Sequence, residues 1–157
     1  MKKFLLISLL SSCLIAQAQR GTAFKVLGTA FVWATLNGIG DGLNDNGNKT
    51  AGHVVNALSY AALITGTVWS EPERKDWLRH IVIDGGIRYV CFDPAYNLTR
   101  NLPVTYVGTT AGIDKAMTKV PAGFRTFTRG VVLCGTVGFT FNEFPREKTY
   151  RKNKVFR

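Results

Sequence analysis

The sequence predicts an all-α protein of four or five helices that is associated with a membrane. Three long segments are almost free of formal charge: Gly21 to Ile39 carries only Lys25, and Ala51 to Trp69 and Val131 to Asn142 carry none. Uncharged runs of this length favour helices over strands. Three such runs in a chain of 157 residues suggest contact with lipid.

The first two helices are separated by a glycine-rich segment. The first predicted helix runs from Gly21 to Ile39, and the polar residues and glycines from Gly38 to Gly47 are expected to form the loop that ends it. Thr50 is the predicted N-cap of the second helix, which covers Ala51 to Trp69. Its alanines and glycine at four-residue spacing would let another helix approach closely.

The third helix has the clearest start signal. Ser70-Glu71-Pro72-Glu73 places a capping serine, an early proline and an acidic third position at a helix N-terminus. The helix should end near Phe92, since Asp93-Pro94 follows. An irregular loop is predicted over 93–110, because this segment is rich in turn-forming residues.

Two further helices are predicted after this loop. A short helix is expected over Ile113 to Lys119, and a longer one over Ala122 to Glu143. The β-branched residues and glycines of the longer segment leave a strand as the alternative.

The N-terminal segment has the pattern of an export signal. A basic start precedes an apolar run from Phe4 to Ile15, and small residues follow at Ala16 and Ala18. The apolar run is shorter than the about 20 residues that a spanning helix needs. Cleavage after Ala18 is the favoured interpretation, with a lipidated Cys13 or a retained anchor as alternatives. The sequence therefore predicts export to a bacterial cell envelope, at the membrane or in the periplasm.

Three parts of the chain follow: a signal peptide at 1–18, a single helical domain at 19–145 and a basic tail at 146–157. The tail carries six basic residues and one acidic residue. It is expected to attract membrane lipid headgroups or an envelope protein, and an exported protein is not expected to meet nucleic acid. The oligomeric state is left open.

Cysteine usage is sparse after the predicted cleavage. Cys91 and Cys134 remain, each within an apolar stretch, so that a disulfide and two buried free thiols are both compatible with the sequence. No C-x-x-C motif supports thiol redox chemistry, and no cofactor is predicted.

One helical stripe could carry chemistry. Four-residue spacing places Asp76, His80, Asp84 and Arg88 on the same face of the third helix. Asp76, His80 and Asp84 are weak candidates for a metal site, and His80 could act as a base oriented by a carboxylate. The alternative is a solvated face with an ordinary Asp84–Arg88 ion pair.

The second helix offers a partner to this stripe. His53 and Asn56 lie one turn apart and could face it, which makes His53, His80 and Asp84 the candidate catalytic residues. No H-E-x-x-H motif or serine hydrolase signature supports an enzyme.

A second cluster suggests a binding loop next to the apolar helices. It runs from Arg88 to Arg100 and continues to Tyr106, and it combines aromatic rings, two arginines and an Asn/Asp pair. The candidate binding residues are Arg88, Asp93, Tyr96, Asn97, Arg100 and Tyr106. The alternative is structural, since a buried loop uses such side chains to satisfy its own backbone.

Two hypotheses therefore remain. The first is an exported, non-catalytic membrane-associated protein with a structural or interaction role. The second is a small metal- or acid/base-dependent membrane hydrolase that uses the His53/His80/Asp84 cluster.

Overall fold

The protein is all-α over the residues that the computed structural model describes, which are 21–70, 76–107 and 112–144. Within these ranges it contains no strand, which confirms the all-α class with five helices; the predicted association with a membrane is not shown by the fold. Its helices are α1 (Thr22–Asp45), α2 (Lys49–Trp69), α3 (Trp77–Thr99), α4 (Gly112–Thr118) and α5 (Ala122–Glu143). Among these helices none combines the length and the apolar character needed to cross a membrane. The predicted signal, the tail after residue 145 and the predicted start of the third helix at 71–73 lie outside the described residues.

Helix α1 is the central helix. It packs against α2 on one side and α3 on another, and α5 contacts α3 and part of α1. The pair α1 and α2 is antiparallel, since Gly66 meets Thr29 and Gly52 meets Asn44. No residue from Gly21 to Asn44 is exposed. A largely apolar helix needs neighbours to cover it, and α1 is contacted by α2, α3 and α5.

Helices α3 and α5 complete the bundle. Helix α3 runs parallel to α1, because Ile83 near its start packs with Val26 and Thr99 at its end lies beside Gly42. Helix α5 is antiparallel to α3, and the Tyr89 and Thr128 hydroxyl oxygens lie 3.0 Å apart across this interface.

The hydrophobic core is small. Its fully buried centre consists of Val26, Ala30 and Ala34 of α1 with Ile83 and Ile87 of α3. Partly buried side chains surround this centre; they are Leu27, Phe31, Trp33, Cys91, Phe139 and Phe144. The small α1 residues let α3 approach closely, so the contact depends on shape more than on side-chain volume.

We refer to one end of the bundle as the tryptophan end. It contains the first turn of α1, the last turn of α2 with Trp69, the first turn of α3 with Trp77 and the last turn of α5. The rings of Phe24 and Phe141 meet edge to face there, with centroids 5.0 Å apart. The residues at the other end of the four helices, with residues 100–107, helix α4 and residues 119–121, form the opposite end.

The predicted end of the first helix was wrong. Helix α1 continues through its glycines to Asp45, because these glycines are contact points rather than loop residues. A Cβ atom at Gly40 would lie 3.0 Å from the backbone nitrogen of Asn56, and one at Gly42 would lie 3.0 Å from the carbonyl oxygen of Tyr96. The close packing of neighbouring helices overrides the low helix propensity of glycine here.

The predicted loop over 93–110 was also wrong in its first half. Helix α3 continues to Thr99 with Pro94 inside it, and irregular backbone is described only over 100–107. Asn97 lies in the last turn, 2% exposed, and its Nδ2 donates to the carbonyls of Val104 at 3.2 Å and Tyr106 at 2.9 Å. These tertiary contacts offset the backbone hydrogen bond that proline removes.

The remaining helices follow the prediction closely. Helix α5 has the predicted bounds, and α4 begins one residue earlier than expected. Helix α2 begins at Lys49 rather than after Thr50, because the Asn48 side chain accepts a hydrogen bond from the Ala51 backbone nitrogen at 3.3 Å.

Candidate functional site

A chain of polar side chains joins α1, α2 and α3 near the middle of the bundle. Arg88 of α3 donates to the side-chain oxygen of Asn37 on α1. Asn37 Nδ2 donates to Asn56 Oδ1 on α2 at 3.2 Å, and Asn56 Nδ2 donates to Asp41 Oδ1 at 2.8 Å. Asn37 is 5% exposed, so this chain of polar side chains passes through the interior of the bundle.

The two carboxamides in this chain have the same orientation. Each accepts from the cationic side and donates towards the anionic side, so the dipoles connect the charge of Arg88 to that of Asp41. The Arg88 guanidinium also lies 4.2 Å from the ring centroid of Phe92 and 5.4 Å from that of Trp33. This arrangement fixes three helices relative to one another and uses its polar groups to do so.

A second polar cluster closes the opposite end. The Tyr96 hydroxyl donates to Asp45 and accepts from Arg100 at 2.7 Å, and the Arg100 and Asp45 side chains are 3.7 Å apart. The pKa of the Tyr96 hydroxyl is raised, mainly because the side chain is partly buried and also because it donates a hydrogen bond to the Asp45 carboxylate. Asn46 Nδ2 donates to the Thr99 carbonyl at 3.0 Å, so α1 and α3 end together.

The predicted binding residues do not line one loop. Tyr96 and Arg100 share the cluster at Asp45, whereas Arg88 bonds to Asn37. Asp93 forms an ion pair with Arg129 of α5 at 2.5 Å. Asn97 holds the backbone at Tyr106, whose side chain is exposed. Each of these interactions joins parts of the bundle, which is the structural use of polar groups that the sequence also allowed.

Arg125 holds the connection that leads into α5. Its guanidinium donates to the carbonyls of Met117, Val120 and Thr105 at 2.8, 2.9 and 2.9 Å. This residue was not among the sequence candidates, because a single arginine in a helix gives no signal of its backbone partners.

The predicted stripe on α3 is divided by its surroundings. Arg79 pairs with Asp76 at 2.7 Å and with Glu143 of α5 at 2.8 Å. His80 is 6% exposed, and its ring meets that of Phe144 edge to face at 5.5 Å. Burial lowers the pKa of His80 and outweighs the opposing effect of Asp76.

The expected Asp84–Arg88 ion pair does not form, because Arg88 reaches across to Asn37. The Asp84 carboxyl is half-buried, and burial raises its pKa to about 6. Its charged form therefore has little compensation within the described structure.

The candidate catalytic residues are not brought together. His53 is exposed on α2, and the preceding Gly52 contacts α1 near Gly40 and Asn44. His80 lies one turn before Ile83 of α3, which packs against α1 near Val26 and Ala30. These levels on α1 are separated by about 20 Å at 1.5 Å per residue. One metal with ligand bonds of about 2 Å cannot join the two histidines. Over the described ranges, no group of three or more His, Cys, Asp or Glu side chains could hold a metal ion.

The two described cysteines are free thiols. Cys134 is exposed on α5, whereas Cys91 is half-buried beside the core. Burial raises the pKa of Cys91 to about 11, which makes it a poor nucleophile.

The outer surface is the other candidate site. Six hydrophobic residues are buried, whereas nineteen large hydrophobic side chains are exposed on the described part of the chain. On α2, no charged side chain interrupts the exposed face between Lys49 and Trp69. An exposed apolar surface of this extent is typical of proteins that contact lipid or a partner.

Sequence reasoning singled out Arg88 and Asn56 but missed Asn37 and Asp41, which complete the central chain of polar groups. Asn37 and Asp41 lie four residues apart within an otherwise apolar helix, and that spacing places them on one face. The glycines around them favour a loop, which hides this helical spacing.

A scan against protein-family models and searches of curated proteins and of solved structures gave no match to this chain.

Proposed function

We propose that this protein has a non-catalytic, structural or interaction role at a bacterial envelope membrane, where its exposed apolar surface lies in the lipid interface. The observation that carries the proposal is that nineteen large hydrophobic side chains are exposed on the described part of the chain, whereas the six buried hydrophobic residues include three alanines. At about 25 cal/mol per Å² of apolar surface, covering these side chains would be strongly favourable.

A non-catalytic role is supported by how the polar side chains are used. The chain from Arg88 to Asp41 and the cluster at Tyr96 both join helices to one another. A catalytic group needs a partner placed at a reacting atom, and His53 lies far from His80 and Asp84.

Lipid is favoured over a soluble partner because the exposed face of α2 has no charge along its length. Protein interfaces between transient partners usually carry a polar and charged rim. A surface that enters the interface without crossing the bilayer is also compatible with the absence of a spanning helix among the described helices. The predicted export signal and basic tail point in the same direction.

Fractionation of cells that express the full chain tests the proposal. We expect the protein in the membrane fraction, with resistance to high salt, because apolar contacts are not screened. Release of all protein into the soluble fraction by salt would overturn it.

A matched pair of charge insertions sharpens this test. Leu58→Glu with Ile64→Glu places two carboxylates on the exposed α2 face, and we expect the membrane-bound fraction to fall several-fold. Ala122→Glu with Gly123→Glu adds two carboxylates at exposed positions at the start of α5, and should leave that fraction unchanged. Equal effects of the two changes would assign the loss to net charge alone.

A further inference from the structure

We propose that the outward face of α5 pairs with the same face of a second copy of this chain, in antiparallel orientation, to form a weak symmetric dimer. The pairing leaves the α2 face uncovered, so it goes beyond the proposed function and does not depend on it.

Helix α5 directs its charged side chains towards its own bundle. The Arg125 guanidinium donates to backbone carbonyls of the connection that leads into α5. Arg129 pairs with Asp93 of α3 at 2.5 Å. Glu143 pairs with Arg79 of α3 at 2.8 Å. These are the three charged residues of α5, so its outward face carries no charge along Ala122–Glu143 and two copies of that face do not repel each other.

The outward face of α5 is an exposed, mostly apolar stripe that runs from the opposite end to the tryptophan end. We refer to it as the α5 seam, which consists of Phe127, Gly130, Val131, Cys134, Gly138 and Phe141, all of them exposed. Their spacings of three and four residues place them on one side of the helix. Phe127 is 65% exposed and Val131 is 54% exposed. A continuous apolar stripe of this kind indicates a contact surface, whereas isolated apolar residues do not.

The glycines of the α5 seam lack the contacts that glycines make elsewhere in the bundle. A Cβ atom at Gly130 or Gly138 would meet nothing within 4 Å. At Gly40, Gly52 and Gly86, by contrast, a Cβ atom would clash with the neighbouring helix, so glycine permits close helix packing at those positions. Each glycine inside a helix costs about 0.5–1 kcal/mol relative to alanine. A second helix that packs closely on the seam would offset this cost, as the neighbouring helices do inside the bundle.

The residues of the α5 seam are arranged symmetrically about Cys134. Identical residues lie at equal separations before and after this cysteine, and the pairs are Phe127/Phe141, Gly130/Gly138 and Val131/Val137. When two copies of α5 pair antiparallel about a two-fold axis at Cys134, each residue lies level with the other member of its pair on the second copy. Phenylalanine is then level with phenylalanine and glycine with glycine. A symmetric dimer requires this self-complementarity, which favours a second copy of the chain over lipid or a different protein.

The area of the α5 seam favours a weak dimer. A contact one helix wide along the 22 residues of α5, about 33 Å, buries roughly 500 Å² on each copy. The total of about 1,000 Å² reaches the lower limit for a specific interface and is typical of transient complexes. The monomer therefore stays populated, and Cys134 remains open to reagents in that form.

Thiol cross-linking of the full chain in the cells that express it tests the inference. Cys13→Ser with Cys91→Ala leaves Cys134 as the single thiol of the chain. A short, membrane-permeable bismaleimide joins two thiols by addition to its two rings, and it does so only when the thiols are close. We expect a product with twice the mass of the chain, because the two Cys134 side chains meet at the two-fold axis.

A second position on α5 provides the reference for this experiment. In the same background, Cys134→Ala with Thr126→Cys moves the single thiol to another exposed residue of α5. In the antiparallel pair the two copies of this position lie about 24 Å apart along the helix axes. We therefore expect at least about fivefold more cross-linked product from Cys134 than from the Thr126→Cys variant.

Matched glycine substitutions locate the contact. Gly138→Leu places a large side chain on the α5 seam and should reduce cross-linking at Cys134 at least about fivefold, because the second helix can no longer approach. Gly85→Leu adds the same side chain at an exposed glycine of α3, where nothing lies within 4 Å of the new Cβ atom, and should leave cross-linking unchanged. Unaltered helical circular dichroism of the purified variants would show that both are folded.

Several results would overturn the dimer. Equal cross-linking from Cys134 and from the Thr126→Cys variant would contradict antiparallel pairing, and undiminished cross-linking in the Gly138→Leu variant would contradict a contact at the seam. A Cys134 product that contains a different protein would assign the seam to that protein, and the lack of any product would assign it to lipid. Membrane fractionation of the same cells is read separately. Membrane binding without the cross-linked dimer would overturn this inference alone, whereas the dimer in a fully soluble protein would overturn the proposed function alone.

Discussion

Arg88 of α3 donates a hydrogen bond to the side-chain oxygen of Asn37 on α1, and this pair lies where three helices meet. The other half of the Asn37 carboxamide donates to Asn56 of α2 at 3.2 Å. A single buried amide therefore fixes the rotation and the register of two helix pairs. A core of six buried hydrophobic residues gives little specificity of its own, so this amide has a large share in defining the fold.

Replacing the buried amide should destabilise the protein. In Asn37→Leu, the Arg88 donor and the Asn56 acceptor lose their partner inside the bundle, and we expect the free energy of unfolding to fall by about 2–3 kcal/mol. Urea denaturation followed by circular dichroism measures this. Asn142→Ala is the control, because Asn142 is exposed and its side-chain bond within the described residues is to its neighbour Glu143 at 3.3 Å. Similar losses in both variants would contradict the assigned role of Asn37.

Two glycine substitutions should have opposite signs. In Gly40→Ala, the new Cβ would lie 3.0 Å from the backbone nitrogen of Asn56, so α1 and α2 must separate, at a cost of about 1–3 kcal/mol. In Gly85→Ala, nothing lies within 4 Å of the new atom, and the substitution should stabilise α3 by about 0.5–1 kcal/mol. Thermal unfolding of the two variants compares them directly. A stabilising Gly40→Ala would show that α1 and α2 are not in close contact.

Asp84→Asn should raise stability at neutral pH. Burial raises the pKa of Asp84 from 3.8 to about 6, so the folded state binds a proton more readily than the unfolded state between these values. The contribution of Asp84 is fully present below pH 4 and is lost as the pH rises through 6. After allowance for solvent screening of this half-buried group, we expect a gain of about 1 kcal/mol at pH 7.

Unfolding of the Asp84→Asn variant and the parent at several pH values checks this sign. The lowered pKa of His80 acts in the opposite direction, because its stability contribution is lost as the pH falls below 6.5. The difference between variant and parent at each pH removes the His80 effect, which both proteins share. A gain that is as large at pH 3.5 as at pH 7 would contradict the titration of Asp84.

The two cysteines should react at different rates. Cys134 is exposed, whereas the half-buried Cys91 has a pKa raised to about 11 and little thiolate at pH 8. We expect iodoacetamide to modify Cys134 at least about tenfold faster than Cys91, as measured by peptide mass spectrometry. In denaturant both should react alike, and equal rates in the folded protein would contradict the burial of Cys91.

Pattern reasoning predicted helix type well and helix ends poorly. The bounds of α5 agree with the prediction from Ala122 to Glu143, although the β-branched residues and glycines of that segment also allowed a strand. The two large errors fall at Gly38 to Gly42 and at Pro94, where local propensity favours a break. In both places a neighbouring helix supplies contacts that are made by residues far apart in sequence.

The candidate site shows the same division. Sequence spacing correctly places His80, Asp84 and Arg88 on one helix, with Asp76 as its N-cap, but it cannot say what each side chain meets. In the structure, Arg88 donates to Asn37 and the His80 ring packs against Phe144, while Asp84 between them is half-buried.

The sequence alone determined that this chain is helical, that much of its excess positive charge lies near its C-terminus and that long segments lack charge altogether. These properties depend on composition and on periods of a few residues, which local physics decides. Only the tertiary structure decided that three helices contact α1, that its glycines are contact points and that Asn37 and Asp41 help to join three helices. It also decided which apolar residues stay exposed, because burial depends on which helices pack together, and α1 is contacted by more helices than α2.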